Sequence, residues 1–521
     1  MSDQIGIIQL NQAKNKNLIP DSELLTNLDW LRPGEYFPPA SQIPRLNRYK
    51  RNKLKFDNDV SVNQDAYNYI IQLVNDRFRV ISYRMLVNLY RKVSYRTADF
   101  LFVERPVYIT SPKKQDTLDT IVRLSKLGSL GHKGALDISR FGEAIFTVKV
   151  KSIKNKKDED VQDGTRLGIT NPSYWFPVVK ESDLTEIKYH VIAYIVVREI
   201  ILDGKSKDQK YVMVQIHDKG KYIKREYLLE DDGKLGDPEI LENGMIEEEV
   251  ETGLTDFAIQ PIQGVVTSDS IFGIDDYTDL IPLIEELETR LEKVAHVLDK
   301  HSDPSLTGPA SALTKDQESG EYYLKLDGYF VREDKEDPGV EYLTWDAQLD
   351  PSFKEIEIIM DLLAIISEMG AAIFDSKGAG MGSQISGRAL KLLYVNPLTK
   401  VSRVRNNFDD GFKQALAICS ELGYGDDQVI DQGEISINWK DGLPDDPKEN
   451  AEIEQIRLGN RANQTLTASV MNLDNLSRGE AEIKVLEIEA ENKADIPGID
   501  ADHNFMEDIT GPPKAVEDEE E

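Results

Sequence analysis

The sequence predicts an α+β chain built from a β-rich α/β region, long helices, a small mixed insertion and a C-terminal helical region. Three observations carry this. β-Branched and aromatic runs cluster between residues 143 and 232. Leu280, Ile284, Leu287, Leu291, Val294 and Leu298 step by four and three in alternation, the spacing of a heptad seam. A further helix signal, Asp350-Pro351, opens after an insertion at 301–349 that has its own Gly, Pro and strand signals.

At about 150 residues per domain, 521 residues make three or four folded units. Hydrophobic residues at 40% supply real cores, which excludes global disorder. A net charge of −31 argues against a sequence-specific duplex-DNA binder, which gains affinity by neutralising phosphates. It fits a chain that must not adhere to polyanions. The single cysteine, Cys419, excludes an internal disulfide and a Cys-rich zinc site, and its apolar helical setting makes it a buried hydrophobe. The N-terminus lacks the pattern of a secretory leader, and no stretch approaches the ~20 apolar residues of a membrane span.

In chain order, residues 1–60 read as a polar arm with a basic run: Arg45, Arg48, Lys50, Arg51, Lys53 and Lys55. The spacing predicts a helix from Gln64 to about Val93, then a strand over Asp99–Ile109 interrupted by Pro106. Another helix covers Thr117–Leu127, after which Gly128, Gly131 and Gly134 are expected to break the chain into short pieces. Strands are expected over Ala144–Val150 and Tyr189–Val197. Tyr211–Ile216 and Tyr222–Tyr227 make a hairpin across Asp218–Lys221. The charged stretch Lys151–Asp163 reads as a mobile loop.

Asp275 and Asp276 offer caps for a helix to about Lys300, a rod of roughly 40 Å at 1.5 Å per residue. Its seam needs a neighbour, either an internal helical hairpin or a ring of helices. In the insertion, Tyr322–Leu326 and Tyr329–Val331 face each other across Asp327-Gly328, and Tyr342–Trp345 is a third strand. The helix from Asp350 is apolar nearly all round from Ile356 to Ile366 and so is expected to be buried on most faces. A Gly-rich loop over 375–385 leads to a third helix from Ser386 to Leu422, kinked at Pro397. A strand over Glu434–Trp439 follows, then helices over 447–493 and a disordered acidic tail ending in Glu517–Glu521.

Catalytic signatures are missing. Gly378-Ala379-Gly380-Met381-Gly382 lacks the spacing of a phosphate-binding loop, and Gly204-Lys205-Ser206 lacks its leading glycine, since that position is Glu199. None of the six histidines sits in a metal-binding helix motif, and His190 reads as a packed strand residue. Glu247–Glu249 and Asp158–Asp160 read as solvated acidic runs, open at most to opportunistic Ca²⁺ or Mg²⁺. The chain is therefore expected to be no enzyme, with no cofactor and no dedicated metal.

The order of parts, together with Tyr277–Pro304, Ser386-Gly387-Arg388-Ala389-Leu390-Lys391 and Phe100–Ile109, resembles the portal proteins of tailed bacteriophages, in the siphophage-type branch. The resemblance covers most of residues 60–445. It implies an N-terminal arm (1–60), a wing (61–273), stem helices (274–300 and 350–374), a clip (301–349), a tunnel loop (375–385), a long kinked helix returning to the wing (386–446) and a helical crown (447–495) before the tail. It implies a ring, usually of twelve subunits, with a central channel at one capsid vertex of the virion, made in the host cytoplasm. Its partners would be duplex DNA passing without sequence specificity, terminase, a head-completion adaptor, and the major capsid and scaffolding proteins, with no membrane. Other ring-forming connectors or minor head proteins, and less readily a DNA-packaging enzyme, are the alternatives.

On that resemblance, Ser376, Lys377, Gly378, Gly380 and Gly382 belong to the tunnel loop. Lys377 either lines the narrowest point or is an ordinary exposed lysine. The stem seam is Leu280, Ile284, Leu287, Leu291, Val294 and Leu298. Tyr322, Tyr323, Tyr329, Phe330, Tyr342 and Trp345 either form a clip interface or fill the clip's own core. Arg388, Lys391, Lys400, Arg403 and Arg405 are assigned to salt bridges with acidic neighbouring subunits, with DNA contact as the alternative.

Overall fold

A computed structural model describes residues 24–58, 86–154, 160–202, 205–241, 243–268, 270–302, 306–307, 313–315, 322–324, 341–342, 349–370, 392, 394–440, 447–459, 464–474, 476 and 478–494. They fall into two compact units, one up to Gly442 and one from Leu443.

The larger unit begins on the basic run, which forms helix α1 (Ile43–Asp57) instead of the expected extended arm. Arg45 and Tyr49 are fully buried on it. The strand expected over Asp99–Ile109 divides: Asp99–Phe102 close helix α2 (Leu89–Phe102), and only β1 (Val107–Ile109) is extended. A short apolar run carries no period that separates strand from helix, and here Phe100, Leu101 and Phe102 are all buried from a helix. Helix α3 (Gln115–Ser125) lies where expected. The glycines that follow do not break the chain, because α4 (Leu127–Phe141) is continuous through them. They are contact glycines: a Cβ on Gly131 would lie 2.3 Å from Phe102 Cε1, and one on Gly134 2.6 Å from Phe146 Cζ. The chain turns at Lys126 and Gly142, both with positive φ.

Strands β2 (Glu143–Lys154) and β3 (Asp160–Thr170) pair as a hairpin with a bulge after Lys151, so the charged stretch expected as a loop is largely ladder. With β10 (Ile259–Gln263) they form a three-stranded sheet in the order β10-β2-β3. The larger sheet holds β4 (Trp175–Lys180), β5 (Asp183–Leu202), β6 (Lys205–Asp218), β7 (Lys221–Leu229) and β8 (Leu235–Pro238) in sequence order, with β9 (Glu248–Glu251) also on β7. Glu247, Glu248 and Glu249 are engaged there by Arg225, Lys224 and Lys221. One face of this sheet buries Val191, Ala193, Val212, Val214 and Ile216 under Leu25, Trp30 and Leu31. The other buries Trp175 and Ile192 with Ile145, Ile259 and Phe272.

Asp275 accepts the Tyr277 and Thr278 N–H groups at 2.9 and 2.8 Å, capping the turn before α5 (Ile281–Ser302). In the insertion, β11 (Leu306–Thr307) pairs with β14 (Glu341–Tyr342), and β12 (Leu313–Lys315) with β13 (Tyr322–Leu324). The expected partner across Asp327-Gly328 lies outside the described residues. Helix α6 (Asp350–Ile366) opens on Pro351 as expected. Helix α7 (Val395–Gly423) begins two residues before Pro397, which therefore sits in the first turn, where a missing N–H goes unnoticed, and not at a kink. Its Phe408 and Phe412 pack with Phe102 and Phe146 at 5.1–6.3 Å between ring centres. Strand β15 (Ser436–Asn438) returns to pair with β1. The second unit is α8 (Pro447–Arg457), α9 (Leu466–Asp474) and α10 (Arg478–Ala494), packed around Val470 and Ala481.

Candidate assembly interface

The six seam residues, Leu280 in the turn before α5 and five on the helix itself, are graded. Leu280, Ile284 and Leu287 are buried, Leu291 is half-buried, Val294 is buried and Leu298 is 48% exposed. The seam meets partners within its own chain: α6 packs along α5, with Ile359 and Leu363 buried and Arg290 bridging to Glu355 at 3.0 Å. The internal hairpin is thus present.

Helix α6, however, is not buried on most faces. Ile358, Leu362, Ile365 and Ile366, at steps of four, three and one, fall within about a 100° arc of the helix. Ile358 is 59% exposed and Ile365 70%, and Leu362 and Ile366 are exposed too. Within one chain α6 covers only the face carrying Ile359 and Leu363 and leaves a second apolar stripe open. The composition of α6 predicted burial; the missing signal was which face the chain's own α5 would take.

Below α6 the chain passes Ser367, Glu368, Met369 and Gly370. Glu368 is a non-glycine residue with φ 58°. Its carboxylate accepts from Arg403 Nη2 at 2.5 Å. Lys400 Nζ lies 2.7 Å from Asp276 and donates to the Ser367 carbonyl at 3.1 Å. Ser367, Glu368, Lys400, Arg403 and Asp276 line a cavity of about 250 Å³ together with Asp279. Arg405 donates to the Lys440 carbonyl at 2.8 Å, its guanidinium 5.8 Å from the Trp439 ring. So Lys400, Arg403 and Arg405, assigned from the sequence to neighbouring subunits, hold partners inside this chain.

The basic run on α1 does the same at the base of α5. Arg48 lies 3.5 Å from Asp275, Arg51 donates to Thr278 Oγ1 at 3.2 Å, and Lys55 pairs with Glu285 at 2.8 Å. Beneath them is a fully buried cluster that sequence reading missed. Arg45 Nη1 stands 3.7 Å from Glu143 Oε1, Arg45 Nη2 donates to the Trp175 carbonyl at 2.8 Å, the Tyr49 hydroxyl donates to Glu143, and the Gly273 N–H donates to it at 3.1 Å. Burial pushes the Glu143 carboxyl above its ordinary range, against the opposing pull of Arg45. No local signal marked it, because the buried face of α1 carries Arg45, Tyr49, Asn52 and Lys55 and reads like a solvated one.

His190 accepts from Trp175 Nε1 at 3.0 Å inside the sheet, and burial depresses its pKa to about 3; His217 is pushed down to about 4. Both stay neutral although they stand opposite each other across β5 and β6. Among the described residues no His, Cys, Asp and Glu cluster could hold a metal, and no helix is long and apolar enough to cross a membrane. Burial raises the Cys419 thiol far above its ordinary range, so it is inert. Ser376, Lys377, Gly378, Gly380, Gly382, Arg388, Lys391, Tyr329, Phe330 and Trp345 lie outside the described residues, and Tyr322, Tyr323 and Tyr342 are placed by backbone alone.

Within the larger unit, the α5–α6 helix pair thus carries an open apolar stripe and is joined to a β-rich body. The family described as "Phage portal protein, SPP1 Gp6-like" matches residues 40–497. The chain belongs to this phage portal family. It is therefore a structural protein of the bacteriophage virion, of the kind placed at a capsid vertex. The comparison with curated proteins finds no match. Among solved structures, a chain of "Virion of native gene transfer agent (GTA) particle" is similar at 12% identity with a TM-score of 0.35, over 74% of this chain and 89% of that one, a likeness too distant to carry an argument.

Proposed function

We propose that this chain is the repeating subunit of a closed ring, of twelve copies, that forms the channel for viral DNA at the unique capsid vertex. The observation that supports it is the outer stripe of α6. Four large aliphatic side chains in register on one helix face are an unfavourable surface for a lone subunit, and a second copy of the same projection is the natural cover. A seam shared between neighbours around an axis closes into a ring when the rotation closes.

The charge supports the channel reading. The chain carries −31, and its described cations near the α6–α7 joint are engaged internally. A wall of that sign repels phosphates and lets duplex DNA slide without sticking. Lys377 and the glycines at 378, 380 and 382 would then form the adjustable constriction, and Arg388 and Lys391 would meet acidic neighbours. The insertion at 301–349 would serve as the clip that docks terminase and, after packaging, the head-completion adaptor. The unit from Leu443 would be the crown. No step in this role requires catalysis or a cofactor.

The test is negative-stain electron microscopy of the purified protein with mass by light scattering, alone and with scaffolding and capsid protein. Rings with a central hole support the reading; a monomer under both conditions overturns it. Deletion of Ser376–Gln384 should leave ring formation intact and abolish or impair DNA packaging or retention. Normal packaging by that variant would remove the constriction from those residues.

A further inference from the structure

The large sheet of the wing carries an arm that its neighbours do not follow. Strand β4 pairs with β5 only as far as Ile192, opposite Trp175. Strand β7 pairs with β6 only as far as Lys210. Beyond those points β5 and β6 continue alone, paired with each other out to Leu202 and Lys205. That two-stranded part, Arg198–Leu202 with Lys205–Gln209, is five residues long, or roughly 16 Å at 3.3 Å per residue. A two-stranded ribbon of this kind is marginal in water by itself.

Its two edges differ. The β6 edge reads Lys205-Ser206-Lys207-Asp208-Gln209, with Ser206, Lys207 and Asp208 exposed, the charged dress that guards a strand edge against pairing. The β5 edge reads Ile195-Val196-Val197-Arg198-Glu199-Ile200-Ile201-Leu202, with Ile195, Val197, Arg198 and Glu199 exposed. Among the described residues no strand pairs with β5 on that side beyond Ile192. The edge is thus long and rich in β-branched residues, interrupted by the single pair Arg198-Glu199, whose arginine is engaged by Glu226.

We infer that the open edge of β5 receives a further strand, and that the occupant is the chain's own N-terminal segment, Ile5-Gly6-Ile7-Ile8-Gln9-Leu10. Three observations select it. The first is direction. Leu25 makes a parallel bridge with Val178 of β4, and the Val179 N–H donates to the Leu25 carbonyl at 2.8 Å. Since β4 runs antiparallel to β5, following the chain backwards from Leu25 leads past Trp175 towards the level of residues 193–202. The second is reach. Val178 stands opposite Tyr189. From there to the level of Val197 is about 26 Å, while the fifteen residues between Leu10 and Leu25 span up to about 50 Å. The third is chemistry. Residues 4–13 carry no charge, and Ile5, Ile7, Ile8 and Leu10 match an aliphatic edge, whereas they would be repelled from the charged β6 edge. Main-chain hydrogen bonds would supply the binding, with alternate side chains covering Ile195 and Val197.

Cross-linking tests it directly, because the native Cys419 is buried and leaves no competing surface thiol. Val197→Cys is combined in the full-length chain with a cysteine at each of positions 5 to 10 in turn. Mild oxidation should give a disulfide-closed chain at monomer mass, strongest at alternate positions and identified by peptide mass mapping. In parallel, hydrogen exchange of the peptide covering 195–202 is compared between the full chain and a variant lacking residues 1–15. Exchange should accelerate roughly tenfold or more in the truncated chain, while the peptide covering 211–217 keeps its protection as a control for folding. Absence of a bridge at all six positions, a bridge only at dimer mass from a neighbouring copy, or unchanged exchange at 195–202 would each overturn the inference.

Discussion

Ile365 separates assembly from folding, and its substitution by glutamate is the sharpest test of the ring. In the single chain this side chain is 70% exposed, so Ile365→Glu removes nothing the subunit relies on to fold. Complete burial of an isoleucine side chain contributes about 1.5–3 kcal/mol. Seven-tenths of that is still to be gained, so about 1–2 kcal/mol per subunit belongs to the contact between copies. Glutamate forfeits this gain and adds the cost of dehydrating a carboxylate in an apolar seam, several kcal/mol. Together at least about 4 kcal/mol is lost at every contact, close to a thousandfold in each association step. The internal reference is Leu287→Ala. Leu287 is 2% exposed between elements of its own chain, so truncation should lower subunit stability by about 2–5 kcal/mol. Size-exclusion chromatography with light scattering over a thousandfold range of concentration reads assembly, and urea unfolding at the dilute end reads stability. Ile365→Glu should be monomeric with the unfolding midpoint of the parent subunit. Rings of Ile365→Glu forming at the parent concentration would show that the outer face of α6 is not the contact.

Three further substitutions probe the subunit itself. Gly131→Ala should destabilise by about 1–3 kcal/mol in urea unfolding, although helix propensity alone favours alanine by about 1 kcal/mol, because the new Cβ would stand 2.3 Å from Phe102; Phe102→Leu should recover part of the loss. Arg45→Met should lower stability at pH 7 by about 3–5 kcal/mol, since it strands Glu143 without its cation, and the deficit should shrink as falling pH protonates that carboxyl. His190 and His217, held neutral down to about 3 and 4, contribute stability that is complete above their ordinary 6.5 and is lost as pH falls below it, roughly 2 kcal/mol each by pH 5. Asp137, pushed up to about 6 by burial, works the other way and returns about 1 kcal/mol over the same interval, and the raised Glu143 carboxyl acts in the same direction; the histidine contribution is therefore read as a difference, His190→Gln losing less stability between pH 7 and pH 5 than the parent.

Where the fold was legible, a regular period or a turn chemistry announced it. The four-three stepping of α5, the Asp350-Pro351 start of α6 and the strands around Lys219-Gly220 all stand where the sequence put them. The misreadings share one cause, a residue whose meaning depends on what packs against it. Gly131 and Gly134 look like helix breakers until Phe102 and Phe146 fill the space above them. Phe100–Phe102 read as strand, yet they close a helix whose neighbours bury all three. Arg45 reads as part of a solvated arm because nothing local distinguishes it from Lys50. What decides it is Glu143, a hundred residues on, together with the Trp175 carbonyl. Pro397 reads as a kink only if the helix is already under way before it, and α7 begins at Val395.

The same dependence changes what holds the proposed ring together. A chain at −31 invites the idea that basic side chains on the helix after the loop close the ring by pairing with acidic neighbours. Among those described, Lys400 is engaged by Asp276 and the Ser367 carbonyl and Arg403 by Glu368, so both tie α7 to the α6 end of its own subunit, while Arg405 ties α7 to the Lys440 carbonyl after β15. On the first helix, Arg48, Arg51 and Lys55 likewise hold the base of α5. These ion pairs make the projection rigid with respect to the body, and a rigid projection is what an apolar stripe needs in order to recur at one orientation around an axis. On this reading charge sets the geometry inside each subunit and keeps the assembled wall off phosphates. The attraction between subunits falls to Ile358, Leu362, Ile365 and Ile366, whose contribution is far less screened by salt than ion pairs would be.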